Sequence, residues 1–247
     1  MQGYVPLDMS AKRKKLKLFS ILSFLLIAIL IVFLVLLIPK QKDEKFFKQK
    51  SYFFVYATKS QKSGSLASMQ DLLISLGGAG VTYSFNDNYF LIANVYVTDS
   101  DAEQIKNNIL STFNDAGVIE VKTKEVSAKK KNLIKDNEKV FNLVKFIYEF
   151  LDFYQTDLIN YLSGTLTDSK LCSKLIEKKL ELEDIIEKLK QSEMSVLEKN
   201  AINVGEIILV HFNNFFNNFY ISSKKESLAT SLLVNITIER VNLFDNL

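Results

Sequence analysis

Cysteine and histidine are almost missing from this 247-residue chain, which has one of each, Cys172 and His211. A disulfide within the chain is therefore excluded. Zinc sites built from thiolates and imidazoles, and Cys–His nucleophile pairs, have almost no material. A Ser-His-Asp triad would have to use His211, and the chain has no Gly-x-Ser-x-Gly elbow to present the serine. Glycine and proline are scarce, at eight and two, and no long low-complexity linker is visible. Gly77-Gly78-Ala79-Gly80 lacks the Gly-Lys-Ser/Thr ending of a phosphate loop and precedes a strand pattern, so it reads as a helix-to-strand turn. Carboxylate pairs such as Glu181 and Asp184 sit among lysines on a charged helix face. The expectation is a protein that is not an enzyme, with no cofactor and no catalytic or metal-binding residues. Cys172 lies beside an apolar stripe and is expected to be a buried thiol rather than an intermolecular bridge. His211 lies on an apolar stripe and is expected in a core or interface.

A strong charge bias is also lacking. The net charge is +3, and it is unevenly spread. Residues 1–50 carry ten Lys/Arg against three Asp/Glu, residues 51–131 balance at eight each, and residues 132–247 carry thirteen against seventeen. No folded segment is basic, so nucleic-acid binding is not expected.

What is present, near the start, is a 22-residue run without charge, Leu18 to Pro39. About 20 apolar residues at roughly 1.5 Å each match a roughly 30 Å hydrocarbon core. The run is too long for the core of a cleaved signal peptide, and no small-x-small site follows it. It reads as an uncleaved signal anchor over residues 18–38. Lys12, Arg13, Lys14, Lys15 and Lys17 lie densely before it, against the more dispersed Lys40, Lys42, Lys45, Lys48 and Lys50 after it. That density places the N-terminus in the cytoplasm and the bulk of the chain outside it, in a single-pass protein of the cell membrane.

After this run the patterning changes. Tyr52–Thr58 is aromatic and β-branched, a strand. Leu66, Met69, Leu73 and Leu76 recur at helical spacing. Val81–Phe85 and Phe90–Val97 read as two strands joined through Asn86-Asp87-Asn88. Asp99 or Ser100 is expected to cap a helix over 101–110, and Val118–Lys122 is a last strand. The order β-α-β-β-α-β suggests a ferredoxin-like layer of two helices on one face of a four-stranded sheet. Alternation assigns Phe53, Val55, Ala57, Leu91, Ala93, Val95 and Val97 to the helix-covered face. Tyr52, Phe54, Tyr56, Thr58, Phe90, Ile92, Asn94 and Tyr96 fall on the other, which is either open or covered by the C-terminal region or a partner.

The stretch Tyr89–Val97 followed by Thr98-Asp99-Ser100-Asp101-Ala102-Glu103-Gln104-Ile105 resembles the second half of a bacterial SPOR (sporulation and cell-division repeat) domain. Tyr52–Thr58 followed by Leu66-Ala67-Ser68-Met69 is similar to its first strand and helix. The resemblance covers about 75 residues. It implies an RNP-like fold that binds septal peptidoglycan glycan strands in cell division or sporulation. Carried over by position, it implies glycan-binding roles for Tyr56, Thr58, Asn94 and Tyr96.

The remainder is helical. Val140, Val144, Ile147, Leu151, Tyr154, Leu158 and Tyr161 repeat at alternating spacings of four and three. Leu171, Leu175, Leu182, Ile186 and Leu189 form a second stripe, and Leu197, Ala201, Val204, Ile208, His211 and Phe215 a third. Residues 226–243 fit a strand through Val234, Ile236 and Ile238, or a helix through Leu228, Leu232 and Ile236; the helical neighbourhood favours the helix. A bundle follows, as a monomer or as a coiled-coil homodimer.

The expected fold class is α+β: a single transmembrane helix, a SPOR-like α/β domain, then a helical bundle. The expected divisions are a basic tail (1–17), the membrane helix (18–38), a juxtamembrane linker (39–50), the α/β domain (51–127) and the bundle (132–247). Partners are expected to be peptidoglycan strands, division or sporulation membrane proteins, and a second copy through the helical region. The other expectation is a membrane-tethered scaffold that makes only protein–protein contacts.

Overall fold

In the computed structural model the described residues are 47, 49–125, 137–190 and 194–246. Strand β1 (Ser51–Ser60) leads through a 3₁₀ turn into helix α1 (Ala67–Ser75). Strands β2 (Val81–Phe85) and β3 (Asn88–Tyr96) form a hairpin. Its two-residue loop is Asn86-Asp87, both at positive φ, the conformation that matches the twist of paired strands and that short polar side chains tolerate best after glycine. Helix α2 (Asp99–Ile109) is capped not by Asp99 or Ser100, as expected, but by Thr98, whose hydroxyl accepts the Asp101 N–H. Strand β4 (Gly117–Lys122) completes a sheet of order β2-β3-β1-β4 in which all neighbours are antiparallel. Four long helices follow: α3 (Glu138–Leu162), α4 (Asp168–Lys190), α5 (Val196–Phe219) and α6 (Lys225–Asn246).

The apolar periods explain the packing. Val140, Val144, Ile147, Leu151, Tyr154 and Leu158 are all buried on α3, as are Leu171, Leu175, Leu182, Ile186 and Leu189 on α4. Gly205 of α5 lies where side chains of α3 and α4 come close to its backbone. A β-carbon there would stand 2.9 Å from Cδ1 of Ile186 and 3.5 Å from Cδ1 of Leu143. Helix α6 shows neither period clearly, because it is buried nearly all round, from Ala229, Leu232 and Leu233 to Val241 and Phe244.

The expected fold class is corrected here. Among the described residues no helix is long and apolar enough to cross a membrane. Helices α3 to α6 have the length, but α3, α4 and α5 carry charged residues along their exposed sides, such as Lys145 and Glu149 on α3, and α6 carries Lys225, Glu226, Glu239, Arg240 and Asp245. The run at 18–38, the basic tail and most of the 39–50 linker lie outside the described residues. What the structure shows is an α+β fold of one four-stranded antiparallel sheet and six α-helices among the described residues. The described residues from Phe47 onward form one unit. A small core of Val55, Ala57, Leu73, Leu91, Ala102 and Phe113 lies under α1 and α2. A larger one runs without a break from Phe54, Phe90 and Ile92 of the sheet into the helical layer.

Candidate functional site

The four residues expected to share a sheet face do not share one, and a pair of irregularities in the central strand pair is the reason. Val55 pairs with Asn94 and Tyr56 with Ile92, so Ala93 is an extra residue on β3; Thr58 then pairs with Leu91, so Ala57 is an extra residue on β1. A strand has a side-chain period of two, so one inserted residue moves all that follow to the opposite face. Val95 therefore joins the large core with Phe54, while Tyr96 packs with Phe53 against the small core.

Tyr56 alone of the four stays on the face toward the long helices. Its ring meets Phe90 edge-on at 5.0 Å, and its hydroxyl lies over Gly117 of the neighbouring strand. Thr58 turns its hydroxyl toward Asp115, with 3.5 Å between oxygens. Asn94 donates from Nδ2 to the Tyr96 hydroxyl oxygen at 2.9 Å. Burial pushes the Tyr96 phenol up to about 12, against a smaller opposing effect of that bond. Asn94 and Tyr96 are thus a local pair, separate from Tyr56.

The sheet face left open or covered by the sequence reading is covered. Helix α6 lies across β2 and β3, where the Ser227 hydroxyl donates to the Gly78 carbonyl at 2.7 Å and the Ser231 hydroxyl donates to the Ala79 carbonyl. At the start of β1, Lys50 donates to Asp152 of α3 at 2.6 Å, with its ammonium 4.4 Å from the Tyr148 ring centre.

Sequence reasoning missed Arg240, one of only two arginines in a lysine-rich chain; that rarity was the available signal. It is fully buried in the seam between sheet and helices. Its Nη1 donates to the Tyr148 carbonyl at 3.0 Å, and its guanidinium carbon sits 4.1 Å from the Tyr148 ring centre and 5.4 Å from that of Tyr52. Its Nε and Nη2, and the Tyr52 hydroxyl, have no hydrogen-bond partner among the described residues. Burial lowers the Arg240 pKa and raises that of Tyr52. The arginine is held by aromatic faces rather than by a carboxylate.

Cys172 is buried, and burial pushes its thiol up, away from nucleophilic use. Burial lowers the pKa of His211. Among the described residues no group of three or more His, Cys, Asp or Glu side chains could hold a metal ion. Comparison with protein-family models, with curated proteins and with solved structures finds no match for the chain.

Proposed function

We propose that this protein is a non-enzymatic scaffold that works through protein–protein contacts of its helical surface. The observation that carries this reading is the burial of the aromatic sheet face under α6. Among the exposed apolar residues, two groups form rows on helices. Ile176 and Leu180, one turn apart on α4, are 47 % and 58 % exposed, and Met69, Leu72 and Leu76 follow one another along α1 and its end. Apolar rows of this kind on a solvated helix are suited to a partner surface. A location at a cell membrane is part of the proposal and rests on the uncharged run from Leu18 to Pro39.

The glycan-binding reading draws on the SPOR resemblance and on aromatic side chains free to stack. Tyr56 packed over Gly117, with Tyr96 turned to the small core, gives that reading less support than the scaffold reading has. Both are tested together. A photo-crosslinking residue at Leu180 of the full chain is expected to capture a defined protein in cells, and Ile176→Asp is expected to abolish the capture. Co-sedimentation of the full chain with peptidoglycan sacculi, lost in Tyr56→Ala, would instead favour glycan binding.

A further inference from the structure

We infer that a polar cleft at one corner of the fold binds a neutral, polyhydroxylated ligand of disaccharide size. This inference goes beyond the scaffold reading and does not depend on it. The cleft encloses about 560 Å³, with walls from three separate parts of the chain: Ser75 and Gly77 at the end of α1, Tyr161 at the end of α3, and residues 222–227 at the start of α6. That volume falls within the roughly 300–1,000 Å³ typical of small-molecule sites.

The walls are tied in place from both sides. The Ser227 hydroxyl bonds to the Gly78 carbonyl and so fixes the turn after α1 against α6. On the other side the Tyr161 hydroxyl donates to Asp168 Oδ1 at 3.0 Å, and Lys225 pairs with Asp168 Oδ2. A cleft held this way needs little ordering when a ligand arrives.

The unused hydrogen-bonding groups identify the ligand class. Ser222 Oγ accepts the Lys224 N–H at 2.9 Å, which leaves its O–H free to donate. Ser75 Oγ donates to the Leu72 carbonyl at 2.6 Å, which leaves its oxygen free to accept. The Ser223 hydroxyl, the Lys224 ammonium and the Glu226 carboxylate line the cleft with no hydrogen bond or ion pair to the described residues. Free donors and free acceptors therefore stand side by side. A sugar hydroxyl donates and accepts, so it answers both kinds without adding charge; a fully deprotonated anion offers no donor to Glu226, and a simple cation offers no acceptor to Lys224. The charge count points the same way: Lys225 is paired with Asp168, and the cleft's other two charged side chains, Lys224 and Glu226, are of opposite sign, so the lining carries no net charge to favour an anion.

The test uses the full chain and ligand-observed saturation-transfer NMR. The probes are cellobiose and N,N′-diacetylchitobiose, with inorganic phosphate in a parallel titration. Saturation transfer to at least one disaccharide is expected. Ser223→Trp, in the exposed turn before α6, and Ser75→Trp, on the opposite wall, each fill the cleft and are expected to weaken binding at least about tenfold, close to 1.4 kcal/mol. Two variants on opposite walls, each checked by its thermal midpoint, guard against a folding defect in one. Leu180→Ser, on the outer side of α4, is expected to bind the disaccharide as the parent does, so loss of scaffold contacts and loss of cleft binding are read separately. No transfer to either disaccharide, undiminished binding in both Trp variants, or phosphate binding in place of the sugars would each overturn the inference.

Discussion

At Tyr56 the phenol lies so close over Gly117 that a β-carbon on the glycine would come within 2.3 Å of its oxygen. A large ring covering a glycine on the next strand is a packing pair, and its edge-on contact with Phe90 adds to it. Tyr56→Ala is therefore expected to destabilise the fold by about 2–4 kcal/mol, measured by urea denaturation. A loss below about 0.5 kcal/mol, as for an ordinary surface substitution, would show the ring to be dispensable to packing. Arg240 poses the opposite case. Its buried guanidinium leaves two nitrogens unpartnered among the described residues, a cost that an apolar side chain of similar length does not carry. Arg240→Met is expected to leave stability within about 1 kcal/mol of the parent or to raise it, whereas Arg240→Ala, which also opens a cavity, is expected to cost about 2–5 kcal/mol. Denaturant midpoints of the two variants separate these outcomes. Neither role was legible in the sequence, because each depends on a neighbour far along the chain: Gly117 for Tyr56, Tyr148 and Tyr52 for Arg240.

Helix ends show how one side chain can join two elements. Ser195 caps α5 by accepting the Glu198 N–H, and the Glu198 carboxylate accepts the Ser195 N–H at 2.7 Å. The same carboxylate accepts from Asn137 Nδ2 at 2.9 Å, and Asn137 caps α3 through its Oδ1. These bonds, that from Asn137 first and those from Ser195 next, hold the Glu198 pKa below its ordinary value of 4.5. A carboxyl with a depressed folded-state pKa stabilises the fold above its unfolded value, and this stabilisation is lost as pH falls through the folded one. Stability is thus expected to decline as pH drops below about 4.5. Glu198→Ala is expected to cost about 1 kcal/mol at pH 7 and to flatten that acid limb. An unchanged acid limb in the variant, measured by denaturation across pH 3–7, would contradict the role given to this carboxylate. The Ser-x-x-Glu spacing of the cap could be read from the sequence; the bridge to Asn137 could not, since 61 residues separate the partners.

For the molecule as a whole, the decisive feature is one core that passes from the sheet into the helical layer. Phe54 and Ile92 belong to the same apolar cluster as Val234 and Ile236 of α6. Removing the long helices would expose one whole face of the sheet. The fragment 51–127 is accordingly expected not to fold alone, and the full chain is expected to unfold its sheet and helices in one transition, with calorimetric and van't Hoff enthalpies that agree. Two resolved transitions, or a fragment with dispersed amide resonances, would show the sheet layer to be independent.

The sequence by itself determined where the strands and all but the last helix form. Hydrophobic period and turn chemistry are local properties, and they mark the hairpin at Asn86-Asp87 and the stripes of α3 and α4. The uncharged run from Leu18 is equally plain as composition. Tertiary structure alone decided which side of each strand faces which layer, because the extra residues Ala93 and Ala57 show only in the pairing of β3 with β1. It also resolved residues 226–243 as a helix: a segment enclosed between sheet and bundle is apolar on nearly every side, so its period fades. The same enclosure covered the aromatic face, and with it the free use of the tyrosines that local pattern alone had placed there.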